Sequence, residues 1–178
     1  MTRYAVLVRG INVGSTRKLP MAELRAALTA ASFDEVATYI QSGNIVLSSD
    51  LTAGEIAAKV EALIASGFGL TVPVIVRTAA EWSRYAAGSP LSAAQHERPR
   101  MLHLCLSARP PLAGAAEALN ARAKAGEVVL ADGDALWVDF GPSVGTSKLT
   151  PALFDRVAGS PVTARNWNSV LAIANLLG

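Results

Sequence analysis

The 178-residue chain has a single cysteine, Cys105, only two histidines, 6% aromatic residues and 17% charged residues. One thiol cannot close an internal disulfide, so the fold must hold without such staples, which suits a reducing compartment. His96 and His103 have no Cys or carboxylate cluster at ligand spacing beside them, which argues against a zinc site. No metal or cofactor is expected. No apolar run approaches the ~20 residues that a membrane-spanning helix requires. Arg9 follows the first apolar run too soon for a signal peptide, and Arg3 alone is a poor charged leader. A soluble cytoplasmic protein without a membrane partner, present as a monomer, is the expectation. Trp82, Tyr85, Trp137 and Trp167 are too scattered to form a stacking platform for RNA. Paired carboxylates for acid–base work are also missing. Asp132 and Asp134 flank a glycine, which is ordinary turn chemistry.

What the chain does have is apolar mass. At 51% hydrophobic it can bury a sizeable core, and disorder is excluded. The net charge of +2 does not announce a nucleic-acid binder, but Arg3, Arg9, Arg17 and Lys18 fall in the first 20 residues with no acid among them.

Tyr4 to Val8 is a continuous, partly β-branched run that predicts a strand buried on both faces. Pro20 then suits the first position of a helix carrying Met21, Leu24, Ala27, Leu28 and Ala31 on one face. Val36 to Ile40 and Ile45 to Ser48 read as a hairpin around Gln41-Ser42-Gly43-Asn44. Thr52 and Glu55 form a capping-box pattern that opens the next helix, with Glu55 and Lys59 at pairing distance, and Gly67 and Gly69 close it. Leu70 to Val76 is strand-like, and Pro73 assigns it to a sheet edge or a bulge. The order β-α-β-β-α-β over residues 1–78 is ferredoxin-like.

Residues 79–99 read as a short helix, Thr78 to Ala87, followed by a loop bounded by Pro90 and Pro99. Residues 100–178 then repeat the order. Strands are expected at Met101–Leu106, Glu127–Leu130, Ala135–Phe140 and Pro161–Ala164, and helices at Leu112–Lys124 and Ser147–Val157. A terminal helix from Trp167 to Leu177 completes the chain. The expected fold is therefore α+β, with two tandem ferredoxin-like halves and an extra C-terminal helix. Only the order of elements repeats by this reading.

Four polar stretches interrupt the core pattern. Arg9 to Gly14 matches neither a dinucleotide fingerprint nor a P-loop, yet it follows a strand with a guanidinium and an amide, Arg9 and Asn12, and Lys18 adds charge. Gln41, Ser42 and Asn44 gather donors and acceptors at a hairpin tip. Gly141 to Lys148 fails the P-loop spacing but ends in Ser147 and Lys148 at an expected helix start, where free N–H groups can hold an anion. As neighbours on a helix these two do not face each other, which argues against a nucleophile dyad. Thr163 to Asn168 contains Arg165, Asn166 and Asn168. One of the two asparagines is expected to cap the last helix, Trp167 to anchor the core, and Arg165 to be available to a ligand.

Arg9-Gly-Ile-Asn-Val-Gly14, Lys18 with Met21, Tyr39 to Asn44, Ser147 to Thr150 and Thr163 to Asn168 together resemble a bacterial family known as domain of unknown function 1697. The resemblance runs in order over nearly the whole chain and implies a shared site, but it transfers no reaction, substrate or catalytic residue. Arg9, Asn12, Lys18, Gln41, Ser42, Asn44, Ser147, Lys148, Arg165, Asn166 and Asn168 are the expected ligand contacts. They are expected to converge on a polar groove between the halves that takes an anionic, phosphate-containing ligand such as a nucleotide or an RNA segment. An enzyme using Lys148 in the same groove, or a protein-interaction module with no small ligand, are the alternatives. The donor-rich, titration-poor composition favours binding.

Overall fold

The computed structural model describes all 178 residues. The N-terminal half runs β1 (Thr2–Val8), α1 (Met21–Ala30), β2 (Asp34–Tyr39), β3 (Asn44–Ser49), α2 (Ala53–Phe68), β4 (Val74–Thr78) and α3 (Ala79–Ala86). Its strands form one antiparallel sheet in the order β2-β3-β1-β4, the ferredoxin-like arrangement. The unbroken apolar run of β1 places it between two neighbours, and Tyr4 to Val8 are all buried. Tyr4, Val6 and Val8 share a core with Leu24 and Leu28 of α1 and Ile56, Val60 and Ile64 of α2. Each such side chain contributes about 1.5–3 kcal/mol by leaving water.

Local signals set the boundaries. Thr52 and Glu55 form a complete capping box on α2, and Gly69 ends that helix in the left-handed conformation with φ 68°. Pro73, which has no N–H, stands just before β4 on the sheet edge. The Glu55–Lys59 pair expected on α2 does not form. Glu55 is held by Thr52, and Lys59 reaches away to the Ala31 carbonyl at 2.7 Å and over the Phe33 ring.

The C-terminal half runs α4 (Ser92–Glu97), β5 (Leu102–Ser107), α5 (Ala115–Asn120), β6 (Val128–Asp132), β7 (Ala135–Asp139), α6 (Pro151–Ala158), β8 (Val162–Asn166) and α7 (Trp167–Leu177). Its sheet order, β6-β7-β5-β8, is the same arrangement again, also antiparallel. Three local expectations need correction. The loop expected between Pro90 and Pro99 contains α4; α5 is shorter than its expected span; and α6 starts at Pro151, because Thr150 accepts the Leu153 N–H as N-cap and Pro151 suits the first helical turn. Ser147 and Lys148 therefore precede the helix and do not form its start.

The halves also match residue by residue in their last strands, beyond the order of elements. Pro73-Val74 and Arg77 correspond to Pro161-Val162 and Arg165 at identical spacing. Pro73 and Pro161 accept the N–H of the residue just after the first strand, Arg9 and Ala108 respectively. Val74 and Val162 each donate to a carboxylate from the preceding helix, Glu61 and Asp155, at 2.9 Å. Arg77 and Arg165 each fold back onto the preceding carbonyl, at 3.0 and 2.8 Å. Both strands then pass directly into a capped helix, with Thr78 capping the Glu81 N–H and Asn166 that of Ser169. The outer edge of β6 is guarded differently, by the Asn120 amide, which bonds both the N–H and the carbonyl of Val129 as a neighbouring strand would.

By contacts the chain divides into two compact units, Met1–Ser83 with Ala172–Gly178, and Arg84–Leu171. No helix is long and apolar enough to cross a membrane.

Candidate functional site

In the first unit, β1 delivers the chain into residues 9–20. The Val8 N–H donates to the Gly43 carbonyl at 2.9 Å, which ties the end of β1 to the β2–β3 turn. Gly43 has φ 83°, and a Cβ there would lie 2.8 Å from the Val8 carbonyl oxygen, so only glycine fits. Asn12 is the pin between loop and turn. Its Oδ1 accepts the Leu19 N–H at 2.8 Å, while its Nδ2 donates to the carbonyls of Leu19 at 2.9 Å and Gln41 at 2.6 Å. Between these anchors the Asn12 N–H donates to the Arg17 carbonyl at 3.0 Å, and a bridge joins Val13 to Thr16. Residues 12–17 are thus a miniature hairpin.

The backbone of this joint is strained. Asn12 (φ 53°), Arg17 (φ 52°) and Ile40 (φ 49°) are three of the chain's five non-glycine residues in the left-handed region, and Gly10, Gly14 and Gly43 share that conformation. A β-branched residue there is an outlier, and each such residue costs on the order of 1–3 kcal/mol unless its surroundings impose it. Asn44, buried at 1% exposure, helps to impose it by donating to the Tyr39 carbonyl at 3.1 Å and to Ser42 Oγ at 2.9 Å.

Of the six residues expected here, Asn12, Ser42 and Asn44 build the joint. Lys18 and Gln41 are exposed on it, and Arg9 is half-buried beside it. Arg17, absent from the expected set, adds a third cation. Its Nη2 donates to the Thr71 carbonyl at 2.8 Å. No Asp or Glu occurs before Glu23, so the loop carries positive charge without an acid of its own.

In the second unit the polar motifs have structural tasks. Ser147 Oγ donates to Glu127 Oε1 at 2.7 Å and accepts the Leu149 N–H at 3.1 Å. Glu127 also accepts the N–H groups of Lys124 and Ala125. The Ser147 hydroxyl, ahead of these amides, holds the Glu127 carboxyl below the usual range against a smaller opposing effect of burial. Arg165 is buried. One of its Nη atoms donates to Thr163 Oγ1 and to the Ala164 carbonyl, both at 2.8 Å, and burial lowers its pKa to about 10, so it remains a cation at neutral pH. Asn166 is the cap of α7, and the buried Trp167 packs on Trp137 with ring centres 5.8 Å apart. Lys148 and Asn168 are exposed.

Sequence reasoning passed over Arg98, whose Nε and Nη2 grip the buried Asp139 carboxylate. Burial pushes Asp139 towards protonation. Arg98 and the Gly141 N–H outweigh it and leave the pKa below the ordinary range. No neighbouring residue signals this pair, since its members are 41 positions apart. No group of three or more His, Cys, Asp or Glu residues could hold a metal ion. His103 stacks edge-on to Phe140, and burial disfavours its charged form. Cys105 is buried, with its thiol pushed up to about 12, so it is not a nucleophile at neutral pH.

The family model described as "Protein of unknown function (DUF1697)" matches residues 1–137. That span includes the whole joint of the first unit and stops short of Ser147. Among solved structures, a conserved bacterial protein from Streptococcus pneumoniae is similar, with a TM-score of 0.72 and 23% identity over 99% of each chain. At that identity the likeness is one of fold. No curated protein matches the chain.

Proposed function

The chain belongs to the DUF1697 family of proteins of unknown function, and we propose that it binds an anionic, phosphate-containing ligand on the joint formed by residues 9–18 and 40–44. One observation carries this. Arg9, Arg17 and Lys18 sit on a loop without carboxylates whose backbone is held, at non-glycine residues, in conformations that the fold itself does not require. The matching connection in the other half, residues 108–114, carries one cation, Arg109, and neither it nor the two-residue turn Gly133-Asp134 has a non-glycine residue in the left-handed region. Stored strain of this kind is characteristic of ligand sites. Guanidinium groups grip phosphate by paired, charge-assisted hydrogen bonds, and a lysine adds a point charge.

In this assignment Arg9, Lys18, Arg17 and Gln41 touch the ligand, while Asn12, Ser42 and Asn44 present them. Ser147, Arg165 and Asn166 remain with the structural bonds they make. A thermal-shift titration with pyrophosphate and nucleoside phosphates tests the proposal. A ligand present at ~100 times its dissociation constant stabilises the chain by about 2.7 kcal/mol. Wild-type protein should show that upward shift, and Arg9→Ala and Lys18→Ala should lose most of it. The absence of any shift with every phosphate would contradict the proposal.

A further inference from the structure

The same joint exposes two aliphatic side chains that neither the core nor an anion explains. Val13 is 65% exposed and Ile40 is 52% exposed, among the largest such values for apolar residues in the chain. They flank one bond, because Asn12 and Gln41, joined at 2.6 Å, are their immediate neighbours. Ile40 is the more telling of the two. At φ 49° a glycine or asparagine would sit without strain, and in the shorter β6–β7 turn the first residue after the strand is a glycine, Gly133, with φ 57°. An isoleucine held there costs backbone energy and leaves about half of its surface in water.

Resting on the anion site proposed above, we infer that its ligand is a nucleoside phosphate, whose phosphates meet Arg9, Arg17 and Lys18 while its base lies against Val13 and Ile40. The chemistry of the joint separates into a cationic stretch and an apolar pair that share one rigid anchor. A bare phosphate uses only the first. A planar base, apolar on its faces and joined to phosphate through a sugar, uses both. The Gln41 side chain, exposed beside Ile40, supplies the donor and acceptor that a base edge can meet.

Isothermal titration of the full chain with inorganic pyrophosphate, with the four nucleoside diphosphates and with a short single-stranded RNA tests this, on wild type and Ile40→Gly. At least one diphosphate should bind about tenfold or more tightly than pyrophosphate. Ile40→Gly should erase that advantage, so that within this variant no diphosphate binds more tightly than pyrophosphate. Because glycine accepts the local φ, the same variant should unfold at an equal or higher temperature, which separates lost contact from lost fold. If all diphosphates bind no better than pyrophosphate, or Ile40→Gly leaves the preference intact, the nucleoside inference fails while the anion site stands. If only RNA binds, a nucleic-acid surface replaces it. If nothing binds, both fall together.

Discussion

In the N-terminal half the chain uses residues 9–20 to travel from β1 to α1, whereas residues 108–114 suffice between β5 and α5. The β2–β3 turn is strained and pinned from a distance, whereas the β6–β7 turn is the two residues Gly133-Asp134. The contrast reverses at the other sheet end. There residues 50–52 join β3 to α2, but residues 140–150 join β7 to α6. Against this, the last strands agree bond for bond, from the proline carbonyl through the carboxylate clasp to the helix cap. What the halves share is therefore what the fold needs. What only one half has must answer to something else, and the elaboration with three cations and a strained backbone belongs to the first.

The comparison breaks most readily in the cores, which should be equivalent. Leu24 on α1 and Leu119 on α5 are both fully buried, one in each core. Leu24→Ala and Leu119→Ala should each lose about 2–5 kcal/mol in urea unfolding. A negligible loss in one half would show that its core is not the structural equal of the other.

Next in size come the turns. Gly43→Ala combines a left-handed φ with a Cβ only 2.8 Å from the Val8 carbonyl oxygen, whereas Gly133→Ala meets nothing within 4 Å. The first should cost roughly 2–4 kcal/mol and the second about 1–2 kcal/mol, since only the first adds overpacking to strain. Equal losses would deny that the first turn is built to a tighter tolerance.

Asn12→Ala removes every bond between the loop and the turn that this amide makes, and it leaves partly buried polar groups of Leu19 without them. It should cost about 1–3 kcal/mol and should abolish the response to phosphate even though Asn12 itself does not touch the ligand. Retained binding would mean that the loop does not need its pin.

The smallest effect is pH-dependent and belongs to the second half. Glu127 has its folded-state pKa depressed, mainly by Ser147. Its stabilising contribution is therefore present above the unfolded carboxyl pKa and is lost as pH falls through the folded value. Ser147→Ala should destabilise the chain at pH 7 and matter less in acid, below both pKa values. A deficit from Ser147→Ala that stays constant between pH 7 and pH 3 would count against this linkage.

Much of this organisation was legible in residue order. The β-branched run of β1, the Thr52–Glu55 box and the Trp167–Leu177 helix are written in short-range patterns, and the structure follows them. The failures have physical causes. The α4 helix is too short to show a period and is enclosed by prolines. The Gly/Ser/Thr composition before Ser147 suggests a helix start there, although Thr150-Pro151 is the stronger capping signal. The Pro-Val-x-x-Arg repeat is hidden in the sequence because its surroundings differ between the halves. Asn12 and Gln41 were both singled out as polar, but their bond spans 29 residues, so nothing local distinguishes a pin from a ligand contact. The same holds for Arg165, whose burial depends on pairing that only the sheet creates.

Backbone amide spectra of the isotopically labelled full chain, recorded as pyrophosphate is added, test the difference between the halves most directly. The amides of residues 10–18 and 41–44 should shift together and saturate at one concentration, while those of residues 108–114 and 133–134 stay in place. Shifts confined to the second half, or none anywhere, would contradict the claim that the first half's extra loop exists to hold an anion.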